Sequence, residues 1–171
     1  MKNNIVLIGF MGVGKGQVGR SLSERTSMFI VDCDDLIESA TNQKIKKIFA
    51  ENGEEHFRNL EKKTALWLEK NVKKTIISTG GGFIAVPNLK KIGTIVYLHK
   101  DFESIIEGIL SHPKAEKKLN KRPLLQDLSA AKKLYNSRLP LYKKLADCKI
   151  KMNGKNIDEA VEEICNRLNI K

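Results

Sequence analysis

Apolar positions along the chain fall into two alternating patterns. Short continuous runs recur at Ile5–Ile8, Phe29–Val31, Thr75–Ile77 and Ile95–Leu98. They are too short for helices and rich in β-branched residues, which predicts buried strands. A fifth run, Cys148–Met152, alternates apolar residues with lysine as an edge strand does. Between these runs the period changes to that of a helix. Phe102, Ile105, Ile106, Ile109 and Leu110 follow i, i+3, i+4, i+7, i+8, and Ile157, Ala160, Val161, Ile164, Cys165 and Leu168 repeat that stripe. Phe57, Leu60, Thr64, Trp67 and Leu68 make a longer, looser stripe that places Trp67 in the core. Strands alternating with helices imply βαβ units, and so an α/β sandwich with a parallel sheet covered on both faces. One stretch breaks the pattern: Ser111–Arg122 has almost no apolar content and reads as an exposed excursion, the place for a mobile lid.

Composition narrows the class. A chain of 171 residues with 41% hydrophobic and 30% charged side chains can build one domain with a single buried core, which excludes a disordered chain. The three cysteines, Cys33, Cys148 and Cys165, show no metal spacing and are odd in number, which predicts a reduced, cytosolic setting. No stretch approaches the ~20 apolar residues of a membrane span. Ile5–Ile8 is too short for the core of a secretory signal. The net charge of +11 raises the question of a polyanionic partner. Yet 25 of the 31 basic residues are lysine, many in pairs such as Lys46-Lys47, Lys62-Lys63, Lys73-Lys74 and Lys90-Lys91. Such pairs read as solvated helix faces. Aromatic residues at 6% are too few for the stacking surfaces of a nucleic-acid binder.

The sharpest chemical signal is Gly9-Phe10-Met11-Gly12-Val13-Gly14-Lys15, between the first strand and a helix. Glycines there let successive N–H groups converge on one concavity, the helix N-terminus adds positive potential, and Lys15 reaches the outer phosphates of a nucleotide. One position departs from the usual loop. The lysine should precede Ser or Thr, whose hydroxyl binds Mg²⁺, but Gly16 and then Gln17 follow.

Three further groups carry potential chemistry. Asp32-Cys33-Asp34-Asp35 follows the second strand, at the sheet edge where α/β proteins bind ligands. Two carboxylates two residues apart could be shared between a metal and a substrate hydroxyl, or Asp34 or Asp35 could simply cap a helix over Leu36–Thr41. Ser78-Thr79-Gly80-Gly81-Gly82 follows the third strand and lets a ligand approach main-chain N–H groups. Arg58, in GEEHFR, and Arg138, one turn after Leu134, sit beside inward-facing stripes and need partners, which could be internal carboxylates or a substrate anion. Arg122, in KRPLL, ends the polar excursion, where an arginine would neutralise phosphate charge. The remaining arginines, Arg20, Arg25 and Arg167, read as surface residues, and the three histidines share no ligand spacing.

In order and spacing, GFMGVGK, DCD, GEEHFR, STGGG, RPLL and a late R-x-x-x-Y resemble shikimate kinase, from Ile5 to about Met152. The resemblance implies a P-loop, nucleoside-monophosphate-kinase-like three-layer sandwich. It would have a five-stranded parallel sheet and a mobile lid at about 111–122, in one domain over 1–171. It implies ATP-dependent phosphorylation of the 3-hydroxyl of shikimate, in aromatic amino-acid biosynthesis. With the cysteine, charge and hydropathy readings above, the expectation is a cytoplasmic monomer that binds neither nucleic acid nor membrane. Carried onto this sequence, Gly12, Val13, Gly14, Lys15, Gly16 and Gln17 would hold ATP phosphates, with Arg122 over them as the lid arginine. Asp34 would bind substrate hydroxyls and act as general base, and Asp32 would help hold Mg²⁺ through water. Arg58 and Arg138 would grip the shikimate carboxylate, and Gly80, Gly81 and Gly82 would offer backbone donors. The adenine-contacting loop would fall near Asn153–Asn156. The rival readings are a nucleotide kinase, since adenylate kinases also carry GKG here, a kinase for another metabolite such as gluconate, and an ATP-dependent switch or nucleic-acid-binding protein. No DGFPR-like segment supports the first.

Overall fold

The computed structural model describes residues 3–113, 115–116 and 125–170. Five strands, β1 (Ile5–Ile8), β2 (Phe29–Asp32), β3 (Thr75–Ser78), β4 (Thr94–His99) and β5 (Cys148–Lys151), form one sheet in the order β2-β3-β1-β4-β5. Every pairing is parallel. The central strand shows why its run is continuously apolar. Val6 and Ile8 face one core, with Ile77, Ile95 and Tyr97, while Ile5 and Leu7 face the other, with Ile76, Val96 and Leu98. A strand covered on both faces has no solvent side to make polar.

The helices divide between those faces. α1 (Lys15–Thr26) and the last helix, α7 (Ile157–Leu168), cover the Leu7 face through Val18, Leu22, Ala160, Val161 and Ile164. α3 (Ile45–Asn71), the short α4 (Leu89–Ile92), α5 (Phe102–Leu110) and α6 (Leu128–Leu145) cover the Val6 face. The predicted sandwich is therefore present, with β5 as an edge strand that buries Cys148 and Ile150 and turns Lys151 to solvent. Asn4 closes the amino end of the sheet: its side chain donates to Val72 O and Ile92 O and accepts from Thr75 N.

α2 (Cys33–Thr41) and the first arm of α3 pack on a small separate cluster of Ile37, Ile48 and Phe57. Gly53 breaks α3 with φ 80° and ψ 176°, a conformation open in practice only to glycine, so that GEEHFR begins the second arm. That arm corrects one expectation. Trp67 is 47% exposed and lies outside the core. The buried stripe runs through Phe57, Glu61, Ala65 and Leu68, with a glutamate at one of its inward positions, and leaves Trp67 on the outer side.

Strand register assembles the ligand edge. Leu7 pairs with Ser78, and Ser78 with Asp32, so the loops after β1, β3 and β2 emerge side by side. Thr79 locks two of them together, its N–H and hydroxyl both donating to Leu7 O. Most of the polar excursion 111–122, including Arg122, lies outside the described residues.

Candidate active site

The loop after β1 is a backbone cradle. Gly12 and Gly14 take φ of 85° and 103°, and a Cβ on Gly12 would stand 2.9 Å from Ile105 and Ile109 of α5. The loop therefore depends on glycine both for its turn and for its packing. Among the described residues, the N–H groups of Met11, Gly12, Gly14 and Gly16 donate to no protein acceptor. Gly14 caps α1 without a side chain, which leaves the positive end of that helix open to an anion. Lys15 Nζ donates to Gly9 O at 2.8 Å and Phe10 O at 3.0 Å, which folds its charge back over the loop. The Asn153–Asn156 turn lies close by, since Asn156 caps α7 through a capping box and Ile157 Cδ1 comes within 4.0 Å of where a Cβ on Gly14 would lie.

At the end of β2 the cap falls on an unexpected residue. α2 begins at Cys33, and its N-cap is Asp32, whose Oδ1 accepts from Asp34 N at 2.9 Å; neither Asp34 nor Asp35 serves as the cap. Asp34 is thereby left in the first turn without a capping role. Burial, then the charges of Asp32 and Glu61, push its pKa up to about 6, against a smaller opposing pull from Lys15. Cys33 between them is fully buried, and burial with the neighbouring carboxylates holds its thiol protonated.

The three glycines after β3 each face a different functional side chain. A Cβ on Gly80 would lie 3.0 Å from Asp34 Oδ1 and 3.5 Å from Glu61 Oε1. On Gly81 it would lie 3.2 Å from Arg138 Nη1, and on Gly82 only 2.3 Å from Arg58 Nη1. Any side chain here would fill the space in which Asp34, Arg58 and Arg138 converge. Among the described residues the N–H groups of Gly80, Gly81 and Gly82 also lack protein acceptors.

The two arginines differ in their commitments. Arg58 donates to Glu54 Oε1 and to Glu61 Oε2, each at 2.7 Å, so the internal ion pair considered for it exists. Arg138 has no carboxylate within ion-pair distance among the described residues, although its charge acts on Glu61. Glu61 was not singled out from the sequence. It is 2% exposed, its Oε1 has no hydrogen-bond partner, and burial raises its pKa while Arg58 and Arg138 pull it down. Its signal was present: a carboxylate inside a buried helical stripe, three residues after an arginine.

One edge of the sheet thus gathers an anion cradle with a lysine, a basic carboxylate, and two guanidiniums beside unused peptide donors. Such a set can hold a polyphosphate, accept a hydroxyl proton and bind a second, small anion. The family model for shikimate kinase matches residues 11–169. The chain is 40% identical over 141 residues to the shikimate kinase of Helicobacter hepaticus, covering 82% of this chain and 81% of that one. Its fold superposes with a TM-score of 0.83 on shikimate kinase from Acinetobacter baumannii in complex with shikimate, at 31% identity over 99% of this chain and 94% of that one. For shikimate kinase from Aquifex aeolicus the TM-score is 0.80, at 34% identity over 97% and 96% of the two chains.

Proposed function

The chain belongs to the shikimate kinase family, and from that premise we propose which of its residues carry the family's activity, the ATP-dependent phosphorylation of shikimate at its 3-hydroxyl. The observation that supports the assignment best is the convergence of Asp34, Arg58 and Arg138 on Gly80, Gly81 and Gly82, beside the phosphate cradle.

The ATP phosphates lie on the N–H groups of the Gly12–Gln17 loop, and Lys15 exchanges its two carbonyl partners for the outer phosphates. Shikimate presents its carboxylate to Arg138 and Arg58, with backbone donors of Gly80–Gly82 completing the grip. Its attacking hydroxyl hydrogen-bonds to Asp34. A carboxyl with a pKa of about 6 is ionised at neutral pH yet more basic than an ordinary aspartate, which suits it to take that proton as the new bond to phosphorus forms. Positioning and charge neutralisation do the rest, with Lys15 on the transferring group and Arg122 assigned to the phosphates.

Mg²⁺ fits the donor set on one condition. Gly16 offers no hydroxyl, and Asp32 has one oxygen occupied by the α2 cap, leaving one carboxylate oxygen. A cation that keeps its waters and leans on phosphates accepts such a site. Asp32 would hold it through water, and the ion would neutralise phosphate charge. No helix among the described residues is long and apolar enough to cross a membrane. A cytoplasmic monomer acting on small molecules is the reading proposed.

A coupled ADP-release assay with shikimate, AMP, gluconate or no acceptor tests the whole assignment. ADP should appear at a substantial rate with shikimate alone. Equal rates with AMP or gluconate, or without any acceptor, would overturn it.

A further inference from the structure

Tyr142 lies one helical turn after Arg138 on α6, so the two side chains share a face. It is 1% exposed, and its ring stacks on Tyr97 with centroids 5.1 Å apart and planes 15° from parallel. The Tyr97 hydroxyl is in turn hydrogen-bonded to His99 Nδ1 at 2.9 Å. Packing alone needs no hydroxyl at this position, because a phenylalanine would fill the same volume. A buried phenol needs a hydrogen-bond partner, and this one finds it in the glycine loop: Tyr142 OH donates to Gly81 O at 2.7 Å.

That bond has two geometric consequences. The hydroxyl has a single hydrogen, committed to Gly81, so it presents only lone pairs to the guanidinium beside it. Arg138 Nη1 and the Tyr142 oxygen lie 3.2 Å and 3.6 Å from the same point above Gly81. The peptide is also fixed. In a planar trans amide, a Gly81 carbonyl aimed at Tyr142 turns the Gly82 N–H the opposite way. Burial pushes the phenol pKa up to about 12 against the opposing pull of Arg138, so the donor keeps its hydrogen at any working pH.

We propose that Tyr142 is a positioning residue for the acceptor: its hydroxyl couples the Arg138 guanidinium to the Gly81–Gly82 peptide and holds both in place before shikimate arrives. The proposal rests on the reading of Arg138 as a carboxylate ligand. An unpaired arginine side chain loses much rotamer freedom when it binds. A guanidinium held beside the loop by such a contact has given up part of that freedom in advance, which favours the substrate.

Steady-state kinetics of Tyr142→Phe, Arg138→Ala and the double variant test the idea. Tyr142→Phe should raise the KM for shikimate about five- to tenfold, as loss of one hydrogen bond does, and leave the KM for ATP unchanged. In the Arg138→Ala background the same substitution should add little, because its target is gone. If Arg138→Ala leaves the shikimate KM unchanged, the reading of Arg138 falls and the proposal with it. If Arg138→Ala weakens shikimate and Tyr142→Phe does not, only the proposal falls, and a drop in thermal stability alone would mark Tyr142 as structural. Nitrogen-15 NMR of the ligand-free parent gives a readout that does not depend on the variants folding. A tethered Arg138 should show resolved, slowly rotating Nη signals, and a freely averaged guanidinium would overturn the coupling.

Discussion

The phosphate cradle and the acceptor pocket sit on neighbouring strand ends but are built of different material. The cradle is main chain: glycines with positive φ, N–H groups without protein acceptors, and one lysine resting on the loop's own carbonyls. The pocket is mostly side chain, drawn from α2, α3 and α6 and gathered around three glycines. A backbone cradle fits any polyphosphate, so it says nucleotide and little more. A side-chain pocket selects, and here it does so under competition. Arg58 already has two glutamates at 2.7 Å, whereas Arg138 has no carboxylate within ion-pair distance among the described residues. Arg138 should therefore contribute more to acceptor binding than Arg58, and the acidic partners should tune the pocket without touching the cradle.

The largest effect should come from Asp34. Replacing it with asparagine should depress turnover about 100-fold or more, measurable by ADP release at saturating substrates. Stability should move the other way. The folded-state pKa of about 6 lies above the ordinary aspartate value of ~3.9, so ionisation opposes folding. That penalty is absent below both values, grows as pH rises between them, and is complete above pH 6. At pH 7 Asp34→Asn should unfold at higher denaturant by about 1–3 kcal/mol, discounted for partial exposure, with no gain near pH 3. A variant less stable at pH 7 would mean that Asp34 holds the fold together. For the parent enzyme, kcat/KM should fall on the acid side with a midpoint near pH 6. Glu61→Gln should move that acid limb to lower pH, since the Glu61 charge helps to raise the Asp34 pKa. An acid limb that stays put would uncouple the two carboxylates.

The same contrast explains what could be read from the sequence. The cradle was legible because its glycines, lysine and flanking strand are contiguous. β1, β3 and β4 were legible because both-face burial leaves apolar runs, and edge strand β5 by its alternation of apolar residues with lysine. Asp34, Arg58 and Arg138 could be named as candidates, but their convergence required the register that aligns Leu7, Ser78 and Asp32. Trp67 was misplaced and Glu61 overlooked for a single reason. Periodicity follows apolar residues, and on α3 the inward stripe carries a carboxylate while the tryptophan faces water. The Asp32 cap was missed because aspartates at 32, 34 and 35 are equally good cap residues on paper, and only the strand's end at Asp32 decides among them. Tyr142 gave no local sign of a bond to a residue 61 positions away.

The smallest effect should be at Gly16, on the cradle side. A Cβ there would meet only Arg20 Nη1, at 3.5 Å, so the loop has room for serine. Gly16→Ser should lower the Mg²⁺ concentration for half-maximal rate about two- to tenfold, the worth of one net polar interaction. Its thermal stability should be measured in parallel, because serine also favours the helix slightly over glycine. An unchanged Mg²⁺ dependence would show that water or Gln17 already serves the ion.

Separate calorimetric titration of shikimate and of ATP into Arg138→Lys and Arg58→Lys bears most directly on the division between the two subsites. A lysine keeps the charge but cannot reproduce the bidentate fork. Shikimate affinity should fall about tenfold or more in Arg138→Lys and by less in Arg58→Lys, with ATP affinity unchanged in both. Unchanged shikimate affinity in both variants, or ATP affinity falling in step with it, would contradict an acceptor pocket built from these arginines.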